Sequence, residues 1–133
     1  MDELINVKVG VVITEADIED IMLVALDGVE HWADEVQVVG KYRGDDVCEH
    51  LANKGWVSFH LKEGPIEEGG PEWYDMNWKM FIKGIRRYLN TTDNPIDILY
   101  YNGVRMELDL GMCDAEVADL MVQYALFGEQ VFA

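Results

Sequence analysis

The chain has 133 residues, of which 26 are Asp or Glu and 10 are Lys or Arg, so its formal net charge is −16. Half of the residues are hydrophobic and 11% are aromatic, which excludes an intrinsically disordered chain. The length indicates one domain over residues 1–133. The negative charge disfavours both nucleic acid and anionic membranes as partners. No apolar run reaches the roughly 20 residues that a membrane-spanning helix needs.

The N-terminal sequence lacks the basic and apolar regions of a signal peptide. We therefore expect a cytoplasmic protein whose two cysteines, Cys48 and Cys113, are reduced.

The first half of the chain predicts alternating strands and helices. Apolar residues alternate with polar ones from Ile5 to Val11, which is typical of a strand. Thr14, with Asp17 three residues later, predicts the N-terminus of a helix that runs to Leu26 or a little beyond Gly28. Three elements follow: a strand through Val36, Val38 and Tyr42, a short helix capped by Asp45 or Asp46 and ending at Gly55, and a strand through Val57, Phe59 and Leu61.

The second half predicts two longer helices and a hairpin. Its elements are a short strand at Trp73–Met76, a helix over Asn77–Leu89, strands at Ile96–Tyr101 and Val104–Leu110 around Asn102-Gly103, and a helix from the Asp114 cap to Phe127 before Gly128. In the second hairpin strand, Val104, Met106, Leu108 and Leu110 are expected to face inward. The predicted fold class is α+β: a mostly antiparallel sheet of about five to six strands with three to four helices packed on it.

No motif indicates an enzyme, a metal site or a cofactor. Cys48 and His50 could form half of a metal site, but no second pair has ligand spacing, so we expect a buried Cys48 and a surface His50. Acid pairs such as Glu116 and Asp119 are explained by solvated helix faces and by the preference of helix N-termini for acids. No catalytic residue is therefore assigned.

The acids are concentrated near the N-terminus, because residues 1–50 hold thirteen acids and three bases, a net charge of −10. Many of them lie on the polar side of the first helix, in the turn after it, or in the loop before Trp73. We predict a partner-binding surface from Glu15, Glu19, Asp20, Asp27, Glu30, Asp34 and Glu35, with Glu67, Glu68 and Glu72 as a second patch.

A second set of residues predicts an alternative, ligand-binding function. Lys79, Lys83, Arg86 and Arg87 form a basic stripe on the predicted helix over Asn77–Leu89, either as a solvated face or as a site for an anion. Aromatic residues near the central loop could line a pocket with them. The alternative ligand-binding set is Trp56, Trp73, Tyr74, Lys79, Lys83, Arg86 and Arg87.

Three blocks of the chain carry a resemblance to a known group of proteins. They are Ile13 to Met22 with Ala25-Leu26-Asp27-Gly28, Trp32 and Val38 to Tyr42; Phe81-Ile82-Lys83-Gly84; and Asp114 to Asp119 with Val122 to Gly128. The sequence resembles short acidic proteins of gut Firmicutes that occur in prophage or mobile-element contexts and have no assigned chemistry. In size, charge and context it is similar to anti-CRISPR and other anti-defence inhibitors.

These observations lead to three functional hypotheses. The first is a non-enzymatic inhibitor that imitates nucleic acid and binds a basic surface of a host protein, such as a CRISPR effector or another nuclease, through the predicted acids. The second is a protein that sequesters a nucleotide or another small molecule. The third is an accessory module of a mobile element that works as a homo-oligomer, and an enzyme of unrecognised type is the remaining alternative.

Overall fold

The structure is a computed structural model that describes residues 2–93 and 95–133, and it has the predicted α+β class. In these ranges the chain forms four helices: α1 (Glu15–Val29), α2 (Val47–Ala52), α3 (Trp78–Thr91) and α4 (Ala115–Phe127). It also forms six strands: β1 (Val11–Val12), β2 (Ala33–Val39), β3 (Trp56–Leu61), β4 (Trp73–Met76), β5 (Leu99–Tyr101) and β6 (Met106–Leu108). Short 3₁₀ turns cover Pro95–Ile98 and Leu110–Met112.

The strands are divided between two sheets of three. In the larger sheet β3 lies between β2 and β4, and all neighbours are antiparallel. Its register aligns Val36 with Phe59 and Tyr74, and this face of the sheet covers the core. In the smaller sheet β6 lies between β1, which is parallel to it, and β5, which is antiparallel.

Each long helix begins at a polar residue that accepts a backbone hydrogen bond from the first turn. Thr14 and Asp17 form the predicted capping box, since each side chain accepts the backbone N–H of the other residue, at 3.1 and 3.0 Å. Asn77 and Asp114 cap α3 and α4 with bonds of 3.0 and 2.9 Å. Such caps satisfy N–H groups that have no partner within the helix.

Helix α4 lies between α1 and α3 and contacts both of them closely. Gly28 of α1 lies so near α4 that an added Cβ would be 2.5 Å from the Ala115 carbonyl oxygen. Gly84 of α3 packs in the same way against Met121 and Ala125. The side chains of Ala118, Met121 and Val122 on α4 are fully buried.

A hydrogen-bonded cluster around Trp32 joins α4 to the chain that follows it. The Trp32 indole N–H donates to Asp119 Oδ1 at 2.6 Å, and its ring stacks on Phe132 with 5.3 Å between centroids. The buried Gln123 amide oxygen accepts the backbone N–H groups of Val131 and Phe132 at 2.9 and 2.8 Å. Burial raises the pKa of Asp119, while its hydrogen bonds from Trp32 and Gln123 oppose the shift.

The structure corrects three details of the predicted strands. Residues 2–10 form no regular element, and Ile5, Val7 and Val9 are exposed, because only Val11 and Val12 have a partner strand. Tyr42 lies beyond the end of β2 and is exposed. Val104 was expected to face inward but is 85% exposed, since it belongs to the turn that precedes β6.

The contact between α3 and α4 generates a stability prediction. Replacing Gly84 with Ala would place a Cβ 2.8 Å from the Ala125 backbone nitrogen and closer still to the Met121 carbonyl oxygen. These atoms belong to the backbone, so the helices must separate, and we expect a loss of about 1–3 kcal/mol in the free energy of unfolding, measured by urea denaturation. Gly10→Ala is the control, because no atom lies within 4 Å of that Cβ. Equal stabilities of the two variants would contradict the close packing.

Candidate functional site

Helix α1 and its C-cap residue Glu30 present five of the ten predicted acids on one side. Its buried residues recur at helical spacing, as Ile18, Ile21, Met22, Ala25, Gly28 and Val29. The opposite side carries the exposed side chains of Glu15, Asp20, Asp27 and Glu30 and the partly buried side chain of Glu19. The period of 3.6 residues therefore brings five predicted acids into one stripe.

Helix α2 packs beside α1 and adds acids that were not predicted as part of the site. Asp46 caps α2 by accepting the Glu49 backbone N–H at 2.9 Å, and the Glu49 side chain accepts the Asp45 backbone N–H at 2.9 Å. The pKa of Glu19 is raised, first by burial and then by repulsion from Glu49, Asp46 and Asp20. The two helices thus form one acidic face, which we define as Glu15, Glu19, Asp20, Asp27, Glu30, Asp46 and Glu49.

None of the carboxylates of the acidic face forms an ion pair within the described ranges, although Lys62 Nζ donates to the backbone carbonyl oxygen of Glu30 at 3.1 Å. The ion pairs among residues 2–93 and 95–133 join His60 to Asp34 and Glu72, and Arg105 to Glu107. The four bases of α3 (Lys79, Lys83, Arg86 and Arg87) are exposed on the side of that helix that faces away from α4. Because α4 separates α3 from α1, the basic stripe and the acidic face lie on opposite sides of the helical layer.

Two other predicted acids converge on a histidine instead. His60 Nδ1 lies 2.7 Å from Asp34 Oδ1, and its Nε2 lies 3.3 Å from Glu72 Oε2. The hydrogen bond with Asp34 is the main cause that raises the pKa of His60, with Glu72 adding to it and burial opposing it. Nearby, Glu35 accepts a hydrogen bond from the Gln37 side chain. Glu67 and Glu68 are exposed in the loop between β3 and β4.

The alternative ligand-binding residues are distributed over several surfaces. Trp56 and Trp73 belong to the outer face of the larger sheet, where the Trp73 ring lies 4.8 Å from the His60 ring. Tyr74 is on the inner face and packs edge-on against Phe127 at 4.9 Å. Of the basic stripe, Arg86 lines a cavity between α3 and residues 7–13, whereas Trp56 lines a different one.

The cavity beside Trp56 has a volume of about 330 Å³ and contains a feature that the sequence did not indicate. It is lined by Val39, Gly40, Lys41, Tyr42, Arg43, His50, Gly55 and Trp56. His50 was expected at the surface but is only 1% exposed. Its burial is possible because Nδ1 accepts the Arg43 backbone N–H at 2.9 Å, while Nε2 is buried with no partner among the described residues.

Both cysteines are buried thiols. Burial, followed by the charges of nearby acids, raises the pKa of Cys48 and of Cys113 to about 11. Within residues 2–93 and 95–133, no group of three or more His, Cys, Asp or Glu side chains could hold a metal ion. No described helix is long and apolar enough to cross a membrane.

Comparisons of the chain with models of protein families, with curated proteins and with solved structures find no match.

The crowding of acids around Glu19 predicts a pH-dependent gain in stability for Glu19→Gln. Because its pKa is raised in the folded state, ionised Glu19 destabilises the fold, and this cost appears as the pH rises through the carboxyl pKa range. The variant should melt at a higher temperature than the parent at pH 7 and at the same temperature near pH 3. Glu129→Gln, an exposed acid outside the acidic face, is the control. A lower melting temperature for Glu19→Gln at pH 7 would contradict the repulsion.

For His60 the effect on stability has the opposite sign, because its contacts with Asp34 and Glu72 stabilise the fold. A histidine with a raised pKa in the folded state stabilises the fold below its unfolded pKa of about 6.5, and the contribution is lost as the pH rises through the folded value. The melting-temperature difference between the parent and His60→Gln should therefore shrink between pH 6 and pH 9. Asn90→Gln, a change at an exposed side chain that does not titrate in this range, is the control, and its difference should stay flat. A constant His60→Gln difference would count against the pairing with Asp34 and Glu72.

Proposed function

We propose that the protein is a non-enzymatic inhibitor that binds a basic, nucleic-acid-binding surface of a partner protein through its acidic face. The single observation that supports this is the convergence of acids from α1 and α2, with no cation of the described residues paired to them. Like charges held together destabilise the chain that carries them. An arrangement that costs stability in isolation is expected where a partner supplies the missing positive charge.

The shape of the acidic face suits imitation of a phosphate backbone. Its carboxylates extend along a helix of 15 residues, and Asp46 and Glu49 at the start of α2 add two more beside it. Proteins that hold DNA or RNA place Lys and Arg along their channels at phosphate spacing. A folded array of carboxylates can occupy such a channel with little loss of conformational entropy, and electrostatic steering speeds its association.

An exposed apolar residue lies within the acidic face. Leu23 is 61% exposed and follows Glu19 and Asp20 by one helical turn, with Asp27 one turn further on. A nucleic acid presents no such aliphatic group to a binding channel, so Leu23 is not explained by imitation of a nucleic acid. Interfaces between two proteins combine a buried apolar centre with a polar rim. Leu23 therefore favours a protein as the partner that the acidic face binds.

The partner class that we propose is a nuclease of a bacterial defence system, as in anti-CRISPR inhibition. The test measures displacement of fluorescently labelled DNA from guide-RNA-loaded CRISPR nucleases by anisotropy, as this protein is added between 50 and 500 mM salt. Displacement that weakens steeply with salt is expected, because the contacts are between charges. Displacement that is independent of salt, or no displacement from any nuclease tested, would exclude the proposal.

A matched pair of variants assigns the effect to the acidic face. Glu15→Gln, Asp20→Asn and Asp27→Asn together remove three exposed charges from it and should weaken inhibition about tenfold, on the basis of about 0.5 kcal/mol for each exposed ion pair. The control combines Glu3→Gln, Asp75→Asn and Glu129→Gln, which removes the same charge from exposed positions elsewhere. If both triple variants weaken inhibition equally, only net charge matters and the acidic face is not the binding surface.

A further inference from the structure

We infer that the cavity beside Trp56 is a binding site for a small anion that carries a planar ring and has the size of a nucleoside monophosphate. No residue of the acidic face lines this cavity, although Asp46 ends the loop that follows β2; the proposal concerns residues 39–43, His50 of α2 and the start of β3. Its volume of about 330 Å³ lies at the lower end of the range for small-molecule sites.

The buried imidazole of His50 is the polar group that points to a ligand. Its Nδ1 accepts the Arg43 N–H, so the proton of the neutral ring is on Nε2. That Nε2–H has no acceptor among the described residues, although the ring is only 1% exposed. A buried donor without an acceptor destabilises the fold, and a ligand oxygen or nitrogen at this position would remove that cost.

Gly55 packs against the imidazole ring of His50. An added Cβ at Gly55 would lie almost equally far from Nε2, Cδ2 and Cε1 of His50. A position on the N–H axis would be much farther from the two carbons than from the nitrogen, so Gly55 covers the face of the ring and not its edge. The absence of a side chain at Gly55 thus keeps the imidazole in the wall of the cavity.

The remaining lining residues define the chemistry of the ligand. Lys41 and Arg43 are the only bases between residues 9 and 53, and both line this cavity in an otherwise acidic region. Arg43 is held in place because its Nη1 donates to the carbonyl oxygens of Asn53 and Lys54 at 3.2 and 3.3 Å. Two cations at one small cavity favour a phosphate or carboxylate group.

Two exposed aromatic rings provide the apolar part of the site. Tyr42 is 58% exposed and lies edge-on to the His50 ring, and Trp56 is 43% exposed. Planar bases stack favourably on such rings. A nucleoside monophosphate combines the three elements that the cavity complements: a planar base, an anion, and an acceptor for the Nε2–H.

The experiment is an NMR titration of the whole protein with AMP, with adenosine and with inorganic phosphate as separate arms. We expect AMP to shift the His50 Nε2 and Trp56 indole resonances to saturation, and each single-component arm to bind at least tenfold more weakly. Saturable binding of phosphate as tight as that of AMP would assign a simple anion site and overturn the inference for a planar ligand. No saturable shift with any of the three would overturn it altogether.

Substitutions at His50 separate its structural role from ligand binding. In His50→Asn the side-chain oxygen can replace Nδ1 as the acceptor for the Arg43 N–H, while Nε2 is lost. This variant should keep the fold, as judged by its amide spectrum, and bind AMP about tenfold more weakly. Unchanged AMP affinity in the folded variant would contradict a role for Nε2.

Two further pairs of variants keep the proposal testable if His50→Asn fails to fold. Trp56→Leu and Lys41→Gln should each weaken AMP binding, because these side chains line the cavity. Trp73→Leu and Lys62→Gln replace the same residue types outside it and should leave the affinity unchanged. If Trp56→Leu and Trp73→Leu lose the same affinity for AMP, or if Lys41→Gln and Lys62→Gln do, binding does not occur in this cavity. Inhibition of a nuclease should be unaffected by Trp56→Leu, which distinguishes this site from the acidic face.

Discussion

The close approach of α4 to its two neighbouring helices is the constraint on which the rest of the structure depends. Gly28 and Gly84 each place a backbone Cα against α4, so no side chain separates the helices at these points. The buried residues of α4 then contact α1 and α3 at the same time. This arrangement determines which sides of α1 and α3 remain in solvent, and therefore places the acids of one and the bases of the other on opposite surfaces of the molecule.

The helices could be predicted from the sequence because their signals are local. Thr14, Asn77 and Asp114 each accept a backbone hydrogen bond within one turn, and the apolar residues of α1 follow the helical period. The alternation of apolar and polar residues from Ile5 to Val11 is an equally clear local pattern, but the residues before Val11 form no strand. A strand needs a partner along its whole length, and β6 is only three residues long. Partner length is a tertiary property that alternation does not encode.

The acidic face was only partly predictable for the same reason. Five of its members share one side of α1, which the helical period shows directly. Asp46 and Glu49 join them because α2 packs beside α1, and the pattern of the sequence identified Asp46 only as a helix cap. His50 was misjudged because its place in the sequence does not reveal a hydrogen-bond partner for a buried imidazole. The Arg43 backbone N–H, seven residues away, supplies the hydrogen bond that permits its burial.

The separation of charge argues that the acidic face has a use beyond solubility. Solubility requires a net charge but does not require that acids be adjacent, and Asp34 and Glu72 show that this fold can place a histidine between acids where they meet. The bases of α3 are displayed on the far side of α4, where they cannot neutralise α1. A chain under pressure for stability alone would intersperse the two signs, since each exposed pair contributes up to about 1 kcal/mol. The acids of α1 and α2 are instead left without ion-paired cations among the described residues, which is the arrangement that the proposed inhibitor function requires.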